Sequence, residues 1–300
     1  MSALPITGFR LDAVHTFQVR TLASLGYRTR VALSNASGTD PTLTTSYRVD
    51  VSVFGPSRKR ERFFENIAAL EPRKKVPLDC ERFVEGYTQD VEVIFHLIPL
   101  RLAATAKDGL VDITRSELFG LMSVQDHYVE YYRDDGFSSG VLYQSGAFNY
   151  AKFSKDATTI IQAPKGYVAK DVDTIMSVLN SSLDPAYDKT AAFKCTLIAG
   201  DRRATWVESC PPFVPVSISM RDRAGELGIS LGDEPRFVCF MGLCETATLI
   251  PLTINRDLKT GCIGIEHSLP PTYYASSVTG PLRSKVISQL SSSLIFQGAR

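Results

Sequence analysis

Apolar and polar side chains alternate with a period of two through the first fifty or so residues. From Phe9 the odd positions Leu11, Ala13, His15, Phe17 and Val19 share one face. Arg10, Asp12, Thr16, Gln18 and Arg20 share the other, with Val14 the apolar exception. This pattern predicts one half-buried strand from Phe9 to Arg20. Ser24-Leu25-Gly26 offers a turn, and Tyr27 to Leu33 alternates again with Arg28 and Arg30 outward. Ser34 to Thr45 reads as a loop around Asp40-Pro41. Tyr47, Val49, Val51 and Val53 then alternate with Arg48, Asp50 and Ser52. Three strands joined by short links favour antiparallel pairing.

Further along, the basic segment Ser57 to Leu70 is expected to be helical, with a strand following at Asp90 to Ile98. Thr114-Arg115-Ser116-Glu117 spaces a hydroxyl and a carboxylate to cap a first helical turn reciprocally, ahead of Leu118, Phe119, Leu121 and Met122. His127 to Arg133 reads as a strand closing at Asp134-Asp135-Gly136, and Val141 to Phe153 and Thr158 to Ala163 continue the pattern. A helix is predicted over Lys170 to Ser181, because Val172, Ile175, Met176 and Leu179 fall at i, i+3, i+4 and i+7. Ala191 to Ala199 and Ala204 to Ser209 flank a hairpin turn at Gly200 to Arg203. Val214 to Met220 alternates, and Pro215 marks it as an edge strand.

Arg236 to Leu243 and Thr248 to Ile254 are nearly continuous apolar runs, as expected of strands covered on both faces. Pro281 to Leu294 predicts a closing helix, with Leu282, Val286, Leu290 and Leu294 stacked at i+4. The fold class expected is β-rich α+β, with predominantly antiparallel, sandwich-like sheets and about three to four peripheral helices. Either a single domain or a cut at 154–156, giving domains 1–155 and 156–300, fits the 300 residues.

Charge adds one constraint. The 33 basic and 32 acidic residues leave a net charge of +1, which argues against a chain held to polyanions by bulk charge. Between Arg58 and Lys75, however, seven basic residues (Arg58, Lys59, Arg60, Arg62, Arg73, Lys74, Lys75) stand against three acidic ones. Such a segment is expected either to grip nucleic acid or an anionic membrane surface, or to be a solvated face answered by Glu61, Glu65, Glu71 and Glu81. Residues 1–10 lack the basic start and apolar core of a secretory signal. No stretch approaches the roughly eighteen apolar residues that a spanning helix needs. Six cysteines are too sparse for a disulfide scaffold, so an intracellular, reduced setting is expected.

Candidate chemistry is thin. Cys239, Cys244, Cys262 and His267 form a C-x4-C-x17-C-x4-H array whose residue types suit zinc. The first pair lies in a strand pattern, though, where residues five apart point to opposite faces, so core packing is the favoured reading. Tyr132-Arg133-Asp134-Asp135 has the shape of a metal-binding carboxylate pair but runs into a glycine turn. No nucleophile elbow and no glycine-rich phosphate loop is present. His15 and His96 lie in apolar strand patterns and read as hydrogen-bonded core residues. Glu266-His267 is the one pair left for acid–base work. No catalytic residue, cofactor or metal site is therefore assigned.

The run Phe237-Val238-Cys239-Phe240-Met241-Gly242-Leu243, with the charged glycine-bearing loop before it, resembles the second half of some viral matrix proteins. The resemblance covers about a quarter of the chain at most and carries no diagnostic motif. The near-neutral charge departs from the basic character usual in that group and speaks against membrane binding by charge. Many strands and the lack of a catalytic motif lead to the expectation of a non-enzymatic structural protein that self-associates, as in a viral matrix or capsid layer, inside a cell or a virus particle. Polar-tipped aromatics suit such contacts, and Tyr128, Tyr131, Tyr132, Tyr273 and Tyr274 are the interface candidates. The alternatives are a nucleic-acid-binding or transport module using residues 58–75, and an enzyme of unrecognised class.

Overall fold

A computed structural model describes residues 5–35, 45–114, 117–118, 121, 127–143, 159–266 and 289. The chain divides into two units, Met1–Ala147 with Leu183–Ala186, and Phe148–Ser182 with Tyr187–Arg300. The cut expected at 154–156 lies outside the described residues, as do Tyr273, Tyr274, His267 and the closing helix over 281–294, apart from a helical Gln289.

The first unit contains β1 (Pro5–Arg10), β2 (Thr16–Arg20), β3 (Arg28–Ser34), β4 (Tyr47–Phe54), β5 (Arg60–Leu70) and β6 (Lys75–Asp79). It continues with β7 (Glu92–Pro99), β8 (Leu110–Thr114), β9 (His127–Tyr132) and β10 (Ser138–Tyr143). Two four-stranded sheets, ordered β2-β7-β4-β5 and β10-β9-β3-β6, are accompanied by a β1-β8 ribbon. Every strand pair is antiparallel. Phe17, Val19, Val49, Val51, Phe95 and Leu97 line the inner face of one sheet, and Val31, Leu33, Val129 and Tyr131 that of the other, all essentially free of solvent. Helices α1 (Glu81–Val84) and α2 (Leu100–Ala103) are single turns.

The structure corrects three expectations here. The alternation from Phe9 to Arg20 is not one strand: a 3-10 turn at Leu11–Ala13 breaks it, and its halves join different sheets. The inward odd positions persist across the break, which is why the pattern looked continuous. The even positions Thr16, Gln18 and Arg20 are buried too. Second, β2, β3 and β4 are antiparallel to other strands but do not pair with one another, because the chain changes sheet at each link and β7 lies between β2 and β4. Third, the segment expected as a helix from Ser57 is strand β5. The chain reverses where Arg58 N donates to Gly55 O (3.0 Å), and β5 returns along β4 from Phe54↔Arg60 to Tyr47↔Leu70.

The capping signal at Thr114 holds. Glu117 N donates to Thr114 Oγ1 (3.1 Å) and Thr114 N donates to Glu117 Oε2 (3.4 Å), ahead of helical Leu118 and Leu121.

The second unit contains β11 (Thr159–Val168), β12 (Val172–Leu179), β13 (Ala191–Ala199), β14 (Arg202–Cys210) and β15 (Val216–Ser219). After α3 (Met220–Glu226) come β16 (Arg236–Cys244), β17 (Ile250–Asp257) and β18 (Ile263–Glu266). Its sheets are ordered β11-β16-β13-β14 and β15-β12-β17-β18. Val178, Phe193, Leu197, Ile218, Val238 and Phe240 are among the residues of one buried cluster. The short edge strand β15 leads into α3, whose first turn is capped by Ser219 Oγ accepting from Asp222 N (3.0 Å).

β12 replaces the helix expected over Lys170 to Ser181. It pairs with β17 from Val172↔Asp257 to Leu179↔Ile250 and is buried on both faces from Asp173 onward. Burial on both faces removes the alternation that would mark a strand, leaving a helix-like spacing by accident. The β-branched Val172, Thr174, Ile175 and Val178 favour the extended form. The protein is thus a strand-rich α+β fold of antiparallel, sandwich-like sheets.

Candidate interaction surfaces

The basic segment resolves into two turns at opposite ends of β5. β5 runs alongside the eight residues of β4, so about 24 Å separates them. At the β4–β5 turn, Glu61 is folded back: its carboxylate accepts from Ser57 N (3.0 Å) and from Tyr87 Oη (2.5 Å). A hydrogen bond from the Ser57 side chain, followed by the one from Tyr87, is the largest cause of a Glu61 pKa below the usual carboxylate range. With Glu61 occupied, Arg58, Lys59 and Arg60 have no ion-pair partner among the described residues. Arg60 lies over the ring of Phe63 (4.9 Å), which is itself 46% exposed. Arg62 is drawn away, donating to Phe83 O (3.0 Å) and lying over Tyr87 (4.7 Å).

Arg73, Lys74 and Lys75 stand exposed at the β5–β6 turn. Arg58 (φ 60°) and Arg73 (φ 63°) both occupy left-handed backbone, each one residue of its turn. The fold therefore separates the seven cations that the sequence groups together.

β5 is an edge strand, yet it is poorly shaped to add another strand. Between Val49 and Val51 of β4, three β5 residues face one, and Asn66 N (φ 54°) turns in to donate to Asp50 Oδ1 (2.7 Å). A bulge and a charged edge both oppose strand addition, and Pro77 does the same for edge strand β6.

Of the tyrosines expected at the surface, Tyr128 is exposed and Tyr132 half-buried, donating to Asp79 (2.8 Å) beneath Arg30 (4.6 Å). Tyr131 is corrected: it faces the core with 0% exposure, and its hydroxyl donates to Arg20 O (3.0 Å). One residue along a strand changes the face, so the adjacent Tyr131 and Tyr132 cannot both point outward.

A surface the sequence reading missed lies on β16. Its inner side chains Val238, Phe240 and Cys244 belong to the core cluster. Its outer ones, Phe237, Cys239 and Met241, were expected to be covered as well. Instead Phe237 is 54% exposed, and Cys239 and Met241 are half-buried. Tyr167 of β11, directly opposite Phe237, is 41% exposed and meets it edge-on at 6.1 Å. By register Ile198 of β13 and Val207 of β14 share this face, both half-buried. Beside Phe237 a cleft of about 530 Å³ is lined by Gly200, Asp201, Arg202, Ser230 and Arg236. Arg202 Nη1 pins its wall by donating to Leu227 O (3.0 Å) and Gly228 O (2.7 Å). The sequence carried no signal for this surface, because composition alone reads such an apolar run as fully covered.

The other candidates stay apart. Cys239 and Cys244 take opposite faces of β16, Cys262 lies in the turn before β18, and the described residues contain no metal-binding cluster. Asp134 pairs with Arg28 (2.8 Å) and Asp135 with Arg133, in a turn closed by Gly136 N to Arg133 O (3.1 Å). His96 Nδ1 must donate to the Asp12 carbonyl (2.7 Å), so its Nε2 accepts from Ser52 Oγ (2.8 Å). Both side chains are buried, and burial pushes the His96 pKa down. The arrangement ties the turn at Asp12 to β4 and β7. No helix of the described residues is long and apolar enough to cross a membrane. In comparisons with known proteins, no family model and no curated protein matches the chain.

Proposed function

We propose that this protein is a non-enzymatic structural component that self-associates, of the kind that forms a viral matrix or capsid layer. The observation carrying this reading is the exposed end of the outer face of β16, where Phe237 and Tyr167 present paired rings to solvent. Large exposed aromatics paired at the end of an apolar strand, beside charged residues such as Arg236, have the composition of a protein contact. The test is molar mass by light scattering across concentration. The mass is expected to rise with concentration, and Phe237→Asp is expected to hold the chain monomeric. A strict monomer at high concentration would sink the reading.

A second reading is supported by the β4–β5 turn, where Arg58, Lys59 and Arg60 make no ion pair among the described residues and lie beside exposed Phe63. It is a contact for a phosphate-bearing partner, nucleic acid or an anionic lipid surface. Reversing all three charges is expected to abolish binding to RNA or to phosphatidylserine vesicles at low salt. Binding that survives the reversal removes the turn from this role.

A further inference from the structure

The exposed ring of Phe237 and the cleft beside it are neighbours at one end of the sheet β11-β16-β13-β14. The β13–β14 hairpin turn at Gly200 and Asp201 lines the cleft on one side, and Gly228 to Ser230, which follow α3, line it on the other. Ala199, Ile229 and Val238 bring apolar surface to it; Val238 belongs to the core cluster and the other two pack against it. Hydrogen bonds fix these walls. Ile229 N donates to Ala224 O (3.1 Å), and Arg202 ties the hairpin to Leu227 O and Gly228 O. The Phe237 ring is supported from β11 by Tyr167. The charges around ring and cleft balance: Arg202 and Arg236 stand with Asp201 and Glu234, all four exposed. None of the four makes an ion pair among the described residues. Asp201 lines the same cleft as both arginines, so a polyanion would meet repulsion there as well as attraction.

We propose that two copies of the second unit meet about a two-fold axis, each inserting its Phe237 ring into the cleft of the other. This rests on the reading that the chain self-associates through this surface, and it names the partner and the fit. A two-fold contact needs a patch that is its own complement. A projection set beside a recess meets that condition, because the rotation exchanges the two. The inserted ring reaches the apolar surface of Ile229 with Arg202 and Arg236 lining the same space, and guanidinium groups favour an aromatic face. An aromatic anchor in a fixed pocket is the usual centre of binding energy in a protein contact. The same rotation brings the two charged rims together, and with both signs on each rim, opposite charges pair across the axis.

Two variants of the full chain separate the ring from its recess. Phe237→Ala removes the ring and keeps the cleft, whereas Ser230→Trp fills the cleft and keeps the ring. Both positions are exposed, so each variant is expected to fold, which circular dichroism checks. In sedimentation equilibrium each alone is expected to associate at least about tenfold more weakly than the unsubstituted chain. Mixed one to one, they are expected to associate more tightly than either does alone, because the ring of one fits the open cleft of the other. A mixture no better than its components, or variants that associate like the unsubstituted chain, overturns the exchange while self-association stands. An unsubstituted chain that stays monomeric overturns both. Binding of inorganic phosphate that is lost in Arg236→Ala, without self-association, makes the cleft an anion site and refutes the exchange.

Discussion

The ring of Phe193 on β13 lies across Gly242 of β16, so close that a methyl group at position 242 would overlap its Cζ and Cε2 atoms. Both residues are buried, and Phe193 packs within the core cluster against Phe240 at 6.1 Å. Glycine is required here for space, since the ring occupies the volume a side chain would take.

Gly242→Ala is therefore expected to destabilise the second unit by about 2 kcal/mol, the usual size of an overpacking penalty in a closed core. Chemical denaturation measures it directly. A cost below about 0.5 kcal/mol would mean that the Phe193 ring can step aside.

Asn180 gathers three segments of the same unit. Its Nδ2 donates to Lys189 O (2.9 Å) and Cys210 O (2.9 Å), and its Oδ1 accepts from Tyr187 Oη (3.2 Å), at 0% exposure. Asn180→Ala strands the buried Cys210 carbonyl and is expected to cost about 3 kcal/mol. Asn180→Asp, which keeps the shape but cannot donate, is expected to do no better. A stable Asp variant would show that the donated bonds contribute little.

Arg58 occupies left-handed backbone (φ 60°) with an exposed side chain that makes no described ion pair. Arg58→Gly relieves that strain while loosening the unfolded chain, for a net gain of up to about 1 kcal/mol. The same change is expected to weaken any binding to RNA or anionic vesicles. A variant of higher melting temperature and lower affinity separates the two roles, whereas lost stability would show that the arginine supports the turn.

Thr114→Ala removes the acceptor for Glu117 N (3.1 Å) and is expected to cost about 1 kcal/mol, again by denaturation. An effect indistinguishable from zero would show that the cap is dispensable.

Local chemistry was legible from the chain because it is written in neighbouring residues. The inward positions of β2, β3 and β4, the cap at Thr114, and the turns at Gly136 (φ 87°) and Gly200 (φ 63°) each follow from a few adjacent side chains. Of the candidate surfaces, the unanswered charge beside Phe63 was partly visible as a basic run, and Tyr128 as an exposed ring. The sequence by itself thus determined a strand-rich antiparallel protein and which side chains of most strands face inward.

Tertiary structure decided what distant residues do to each other. It chose β7 rather than β3 as the neighbour of β2, and it turned residues 60–70 and 172–179 into strands by giving them partners. It also parted the cations of 58–75 to the two ends of β5 and set a cleft beside Phe237. On β16 it covered Phe240 and left Phe237 in water. A period-two pattern reports the polarity of each face of a strand, but which surface closes over a face depends on residues a hundred positions away.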